Sequence, residues 1–353
     1  MHEEFPQRGL RGLRGLRGLR GLRGGVVLCL LLWGMAFPMS AQATTHSTKY
    51  LVPVGHTIGI KLFARGVLVV DSGSAKDSGI RVGDMLLQCN GTAIQSIEQF
   101  SDLLQRSGGT VTLTLRRGSK TLELPVPVTE GADGVWRLGA WIRDSMAGIG
   151  TMTFYDPETG VFGALGHGVT DTDTALLMPL SAGAIMESTV KAVKRGEEGC
   201  AGELRGDFNL TEDMGTLSAN SDCGVFGQME RENWSGELGE ALPIAAPGEV
   251  KTGKATILAN VTGDTVEEYG VEISRVYPAG GDSRNLLVTV TDPRLLEATG
   301  GIVQGMSGSP ILQNGKLVGA VTHVLLNDPT RGYGILIQSM LRQAYGDTGE
   351  QVS

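Results

Sequence analysis

Positive charge is in short supply in this chain. Its 30 Lys and Arg stand against 38 Asp and Glu, a formal net charge of −8, which argues against nucleic acid as the main partner. Histidine is scarcer, with five in 353 residues, and no His-Glu-x-x-His occurs, so a metalloprotease is not supported. Cysteine is both rare and irregular. Of the four, Cys29 lies in an N-terminal apolar run, while Cys89, Cys200 and Cys223 form neither a Cys-x-x-Cys nor a zinc-ligand pattern. A Cys200–Cys223 disulfide and buried free thiols both stay open. No metal site and no cofactor are expected. Glycine, by contrast, is abundant at 53 residues, too many for a mostly helical fold, and the length suffices for two globular domains.

Residues 1–43 read as an export segment outside the fold. A Gly-Leu-Arg repeat from Arg8 to Arg23 supplies a basic region, the run Val26 to Phe37 is apolar, and Ala41-Gln42-Ala43 follows as a small-residue cleavage site. The apolar run has 12 residues, against roughly 20 for a bilayer-spanning helix. This favours cleavage after Ala43, with retention as a membrane anchor the alternative. The repeat itself has no functional reading.

The stretch Gly300 to Pro310 puts a hydroxyl on a glycine-walled turn directly before an apolar strand. A serine attacking a carbonyl needs an exposed Oγ, converging backbone amides and neighbours without obstructing side chains. Gly305 and Gly308 flank Ser307 and meet that need; a plain turn is the competing explanation. The form Gly-x-Ser-Gly-x-Pro resembles that of chymotrypsin-like peptidases, which implies an oxyanion hole made by the amides of Gly305 and Ser307. For the general base, His2 and His46 lie in or beside the export segment and His56 opens another domain, leaving His167 and His323. His167 sits between Gly166 and Gly168 and is sterically open, as a base must be. The resemblance to chymotrypsin-like peptidases, where the matching strand walls the substrate pocket, also implies a pocket role for Thr322 and His323; a strand histidine hydrogen-bonded in the core is the alternative. Asp292 is the leading carboxylate to orient His167, because the order His167, Asp292, Ser307 is the chymotrypsin order. Asp292-Pro293 also reads as a helix N-cap followed by proline at the first helical position, so both roles stay open; Asp171, Asp173 and Asp222 are the fallback acids.

Two folded regions are expected. Residues 50–128 carry strand-like runs, helical segments at Ser74–Ser78 and Ser96–Ser107, and the stretch Ala75 to Gly91, which resembles the PDZ pattern A-x-x-x-G-[IL]-x-x-G-D-x-[IL]-x-x-[IV]-N-G, with Cys89 as the only departure. The resemblance implies a carboxylate-binding loop at Thr57, Ile58, Gly59 and Ile60 that would take up peptide termini by β-augmentation; a structural spacer is the alternative. Residues 132–348 show short apolar runs broken by glycines, the pattern of an all-β barrel or sandwich. Asn314-Gly315 signals a tight hairpin after the serine loop, and Ala182–Lys194 reads as an amphipathic helix. The expected fold class is mainly β: a small α+β PDZ domain followed by a chymotrypsin-like double β-barrel peptidase domain.

From about residue 50 to 345, and most closely over Thr291 to Met340, the combination of Gly-His-Gly, Gly-Gly-Ile-Val-Gln-Gly-Met-Ser-Gly-Ser-Pro-Ile and a PDZ module is similar to the stage IV sporulation protein B family of serine peptidases. The resemblance implies His167 as base, Asp292 as orienting acid and Ser307 as nucleophile. It further implies export into the space between forespore and mother-cell membranes, self-cleavage, and cleavage of the regulatory subunit of an intramembrane metalloprotease, which releases a sigma factor. The Gly-Leu-Arg repeat departs from the family's N-terminus, so how the chain associates with a membrane is open. A non-catalytic PDZ adaptor with a protease-like scaffold is the competing function.

Overall fold

The computed structural model describes residues 48–209, 211–234, 236–277 and 283–346, all within one unit, Ser47–Ser353. The expected export segment, residues 1–43, lies outside the described residues. Among these residues no helix is long and apolar enough to cross a membrane.

Strand β1 (Thr57–Asp71) organises the N-terminal half, because its two ends belong to different bodies. Its C-terminal end pairs with β2 (Met85–Cys89), which pairs with β3 (Thr110–Arg117), which pairs with β4 (Lys120–Pro127). Helix α1 (Ile97–Ser107) covers this small sheet. The Ser96 hydroxyl caps it by accepting from Gln99 N at 3.2 Å, and Gly108 ends it. Phe100 and Leu104 of the helix are buried with Val67, Val69, Leu86 and Leu113. The Gly-Asp of the motif is structural: Asp84, fully buried, accepts from Arg117 Nε at 2.7 Å and from Arg81 N at 2.9 Å. Cys89 fills a core position in this body, where burial raises its thiol pKa.

The N-terminal end of β1 lies in a barrel. On one edge Thr57–Phe63 pairs with Ser145–Thr151 of β5 (Trp141–Tyr155); β5 pairs with β6 (Val161–Ala164), β6 with β10 (Gly224–Met229), β10 with β9 (Gly215–Ser221), and β9 with β7 (Leu180–Lys194). Strand β7 returns to the other edge of β1, Ile185 opposite Ile60, so six strands close on themselves; β8 (Glu203–Phe208) adds to β7 outside the ring. Ile58, Ile60, Met152, Phe162, Ile185 and Val225 fill the interior. A second closed barrel follows: β11 (Gly253–Thr262), β12 (Thr265–Val276), β13 (Leu286–Val290), β16 (Asp328–Leu336), β15 (Lys316–Leu325) and β14 (Pro310–Gln313). The Asn314-Gly315 turn joins β14 to β15 with φ of 53° and 74°, the left-handed pair that a two-residue hairpin requires. Helix α2 (Pro293–Thr299) precedes the serine loop, and α3 (Ile337–Tyr345) closes the chain; nothing in the apolar-run pattern had announced α3.

Two expectations are corrected here, and one open alternative is decided. Ala182–Lys194 is strand, because both edges of β7 find ladder partners, which outweighs the helix preference of its alanines. No disulfide joins Cys200 to Cys223 among the described residues. Thr57, Ile58, Gly59 and Ile60 form no carboxylate-binding loop: they are buried in the first barrel, with β5 on one side and β7 on the other, leaving no edge for a peptide. A Cβ at Gly59 would stand 2.9 Å from Phe208 Cβ. Gly59→Asp is therefore expected to act on folding, overpacking the site and burying an unpaired carboxylate at a cost on the order of several kcal/mol. A melting curve checks this: wild-type thermal stability in Gly59→Asp would contradict the assignment of this strand.

Candidate active site

The serine loop runs from the left-handed Gly300 that ends α2 to Pro310 at the start of β14. Ile302, Val303 and Met306 anchor it by burying their side chains in the second barrel. Gly305 and Gly308 adopt φ of 98° and 99°, a region closed to most side-chain-bearing residues, and they turn the chain so that Ser307 stands at its crest. The first barrel fixes the loop's polarity. On β5, Thr151 Oγ1 donates to Gly305 O at 2.7 Å, Thr151 N to Ser307 O at 2.9 Å, and Thr153 Oγ1 to Gly308 O at 2.8 Å. With their carbonyls held this way, the amides of Gly305 and Ser307 donate to nothing else among the described residues. Two unengaged N–H groups beside a serine hydroxyl meet one requirement of an oxyanion hole. Thr151 and Thr153, both buried, had no sequence signal beyond their alternation on a strand.

His167 is delivered by a kink. Leu165 and Gly166 follow β6 with φ of 68° and 67°, and the non-glycine member of this pair is a strained backbone of the kind found at functional sites. His167 Nδ1 lies 2.9 Å from Gly168 O. A carbonyl only accepts, so Nδ1 carries the proton and Nε2 keeps its lone pair, the tautomer a general base needs. Burial lowers the His167 pKa, countered only in part by that hydrogen bond. The His323 ring stands 4.9 Å away, tilted by 39°, and its buried Nδ1 has no partner among the described residues. Burial first, then the neighbouring His167 and Arg284, push its pKa down to about 4. Ser307 Oγ donates to Thr322 O at 2.7 Å. Ser307, His167, Thr322, His323 and Gly305 all line one cavity of 490 Å³, whose walls carry no Asp, Glu, Lys or Arg. Among the described residues no cluster of three or more His, Cys, Asp or Glu could hold a metal ion.

Asp292 is not in this cavity, which corrects its expected role as orienting acid. Its carboxylate accepts from Arg294 N at 2.9 Å, Arg294 Nη2 at 3.0 Å and Gly270 N at 3.1 Å, capping α2 and holding the β12 edge. The Arg294 guanidinium keeps its pKa down to about 2. The fallback acids do not replace it: buried Asp171 pairs with Arg143 and Thr174, Asp173 pairs with Arg143, and Asp222 is exposed. The Gly168 carbonyl takes over orientation of the imidazole. Asp292→Ala is accordingly expected to lower stability by about 1–2 kcal/mol through the lost cap, with kcat of the folded fraction falling by less than about tenfold. A loss near the ten-thousandfold seen when a triad carboxylate is neutralised would restore Asp292 to the mechanism.

The depressed histidine pKa values set a pH dependence. Neutral His167 persists below the ordinary imidazole value, so the fall of kcat/KM on acidification should be centred at a lower pH than an ordinary imidazole would set. For stability, His323 binds its proton more readily unfolded, at about 6.5, than folded, at about 4. The unfolded state therefore holds more protons inside that window, and the contribution, present above pH 6.5, is lost as pH falls towards 4. Replacing His323 by Gln should reduce the slope of the stability profile between those limits, measured as Tm against pH, and leave the share that His167 contributes.

Two closed β-barrels that share a cavity, with a glycine-walled serine and a neutral histidine facing it, define a serine peptidase. The chain belongs to the SpoIVB peptidase S55 family, whose model matches residues 134–341, more than half of its length; a PDZ domain model matches residues 66–117. No curated protein matched the chain. Among solved structures, the active form of the Rv3671c protease from Mycobacterium tuberculosis is similar at 14% identity, covering 56% of this chain and 73% of that one, with a TM-score of 0.33. Its inactive form is similar at 15% identity, covering 55% and 82%, with a TM-score of 0.30. The PDZ domain of an SdrC-like protein from Listeria monocytogenes is 20% identical, covering 22% of this chain and 87% of that one, with a TM-score of 0.21.

Proposed function

We propose that the protein is an exported serine endopeptidase in which Ser307 attacks the scissile carbonyl. In the resting site the Ser307 hydroxyl donates to Thr322 O; on substrate binding it turns and passes its proton to His167 Nε2 as Oγ bonds to the carbonyl carbon. The amides of Gly305 and Ser307 receive the oxyanion. His167 then returns the proton to the leaving amine, the C–N bond breaks, and water repeats the sequence on the acyl-enzyme. The cavity's uncharged walls suit an apolar substrate side chain, since a charge there would be buried unpaired.

In this proposal the enzyme acts during sporulation in the space between forespore and mother-cell membranes, cleaves itself, and cleaves the regulatory subunit of an intramembrane metalloprotease. Family membership supports the sporulation setting, and a peptide-binding PDZ module in a peptidase suits regulated action on a protein substrate. The observation that carries the catalytic part is the pair of unengaged amides beside Ser307, in one cavity with a histidine whose Nδ1 is occupied. A fluorophosphonate probe tests it on the purified chain: Ser307 should be labelled stoichiometrically. An unlabelled, correctly folded chain would favour the adaptor function.

A further inference from the structure

The first nine residues of β5, Trp141–Ile149, pair with a neighbour on one edge only. Trp141 lies opposite Asp71, Arg143 opposite Leu68, Met146 opposite Leu62 and Ile149 opposite Gly59, all on β1. Strand β6 joins the other edge only from Met152 onward, and just before it Thr151 N donates to Ser307 O and Thr151 O accepts from Leu165 N; among the described residues no main-chain hydrogen bond reaches that edge over residues 141–149. The edge is exposed at both ends of this stretch: Trp141 is 74% exposed, Ala147 and Gly148 are exposed, and residues 142–146 between them are half-buried. A Cβ added at Gly148 would meet nothing within 4 Å.

The two ends of this edge lie in different functional bodies. Near its start the PDZ helix α1 flanks it, with Asp144 Oδ2 accepting from Ile97 N at 2.8 Å. At its far end Met146, Ala147, Gly148 and Ile149 wall the cavity that holds Ser307 and His167. A bare strand edge beside a helix is a template for one more strand, held by main-chain hydrogen bonds. Arg143 is turned to Asp171 and Asp173, so its charge is already paired and does not select for a charged ligand.

We propose that this edge takes up an extended segment of the substrate polypeptide by β-augmentation and conducts it from the PDZ helix to Ser307, the two modules sharing one receptor strand. The occupant is substrate because the edge terminates inside the catalytic cavity, where a chain paired along β5 arrives with its backbone already extended. Nine residues span about 30 Å, so the engaged segment is far longer than the cavity alone would hold. This also assigns peptide binding to β5 in place of the Thr57–Ile60 segment, which is buried between two strands.

The proposal rests on Ser307 being the nucleophile of that cavity, and the experiment separates the two ideas. Full-length Ser307→Ala, which cannot cleave, is mixed with reduced, carboxymethylated lactalbumin as an unfolded polypeptide, and backbone amide exchange is followed by mass spectrometry. Amides within residues 141–149 should exchange at least about tenfold more slowly at saturating polypeptide. Unchanged exchange in 141–149, whether the polypeptide binds elsewhere or not at all, overturns the proposal. Fluorophosphonate labelling of the wild-type chain reports separately on Ser307, and protection of 141–149 decides the receptor strand whatever that result.

Discussion

Ser307→Ala is expected to abolish proteolysis and fluorophosphonate labelling, with kcat falling on the order of a million-fold, while the chain stays folded. The loop is held by backbone groups that the substitution leaves in place: Thr151 N still meets residue 307 O, and Thr151 Oγ1 still meets Gly305 O. Only the Ser307 Oγ to Thr322 O bond is lost, worth about 1 kcal/mol. The neighbouring serine supplies the contrast. Ser309 is fully buried, its N–H donates to Met306 O, and its hydroxyl has no partner among the described residues. Removing an unsatisfied buried hydroxyl is close to neutral or stabilising. Ser309→Ala should thus keep near wild-type activity in a peptidase assay, and the opposite ranking of the two alanine variants would sink the assignment of Ser307.

Gly308→Ala is expected to cost both activity and stability, although it changes neither serine nor histidine. The φ of 99° at this position strains any L side chain, at roughly 1–3 kcal/mol. A Cβ would also be driven into Thr151 O and against Leu165 N. Relief requires the loop to move away from β5, which breaks the Thr153 Oγ1 bond to Gly308 O and shifts the amides of Gly305 and Ser307 from the places the proposed mechanism needs. With overpacking adding about 1–3 kcal/mol, Tm should drop by roughly 5–20 °C and labelling should be lost in the fraction still folded. Unchanged Tm with full labelling in Gly308→Ala would contradict both the backbone strain and the close approach to Thr151 O.

Much of the site was legible because its chemistry is local. Glycines around Ser307 and His167 announce left-handed backbone and open approach, and both residues line the same cavity in the structure. Asp292 shows where local reading has two answers: Asp-Pro before an apolar run is a helix start, and capping, with Arg294 as partner, is where the carboxylate went. Chain order did not bring it to His167. Thr151 and Thr153 were invisible because their work is done across 154 and 155 residues of separation, on carbonyls of a loop in the other barrel.

The PDZ body shows the same divide. Its motif and its capped helix can be read in order along the chain, since each depends on neighbours a few residues away. The fate of Thr57–Ile60 cannot, because a buried strand and a ligand-binding strand have the same alternation of apolar residues. By itself, then, the sequence determined a mainly β peptidase with a PDZ module, the serine turn and the open histidine, through propensity, turn chemistry and spacing. Only the tertiary structure decided which carbonyl meets His167 Nδ1, which threonines hold the carbonyls of the serine loop and which strand edge has no partner among the described residues. Those are matters of long-range pairing, and a strand's partners are chosen by the closure of the barrel around it.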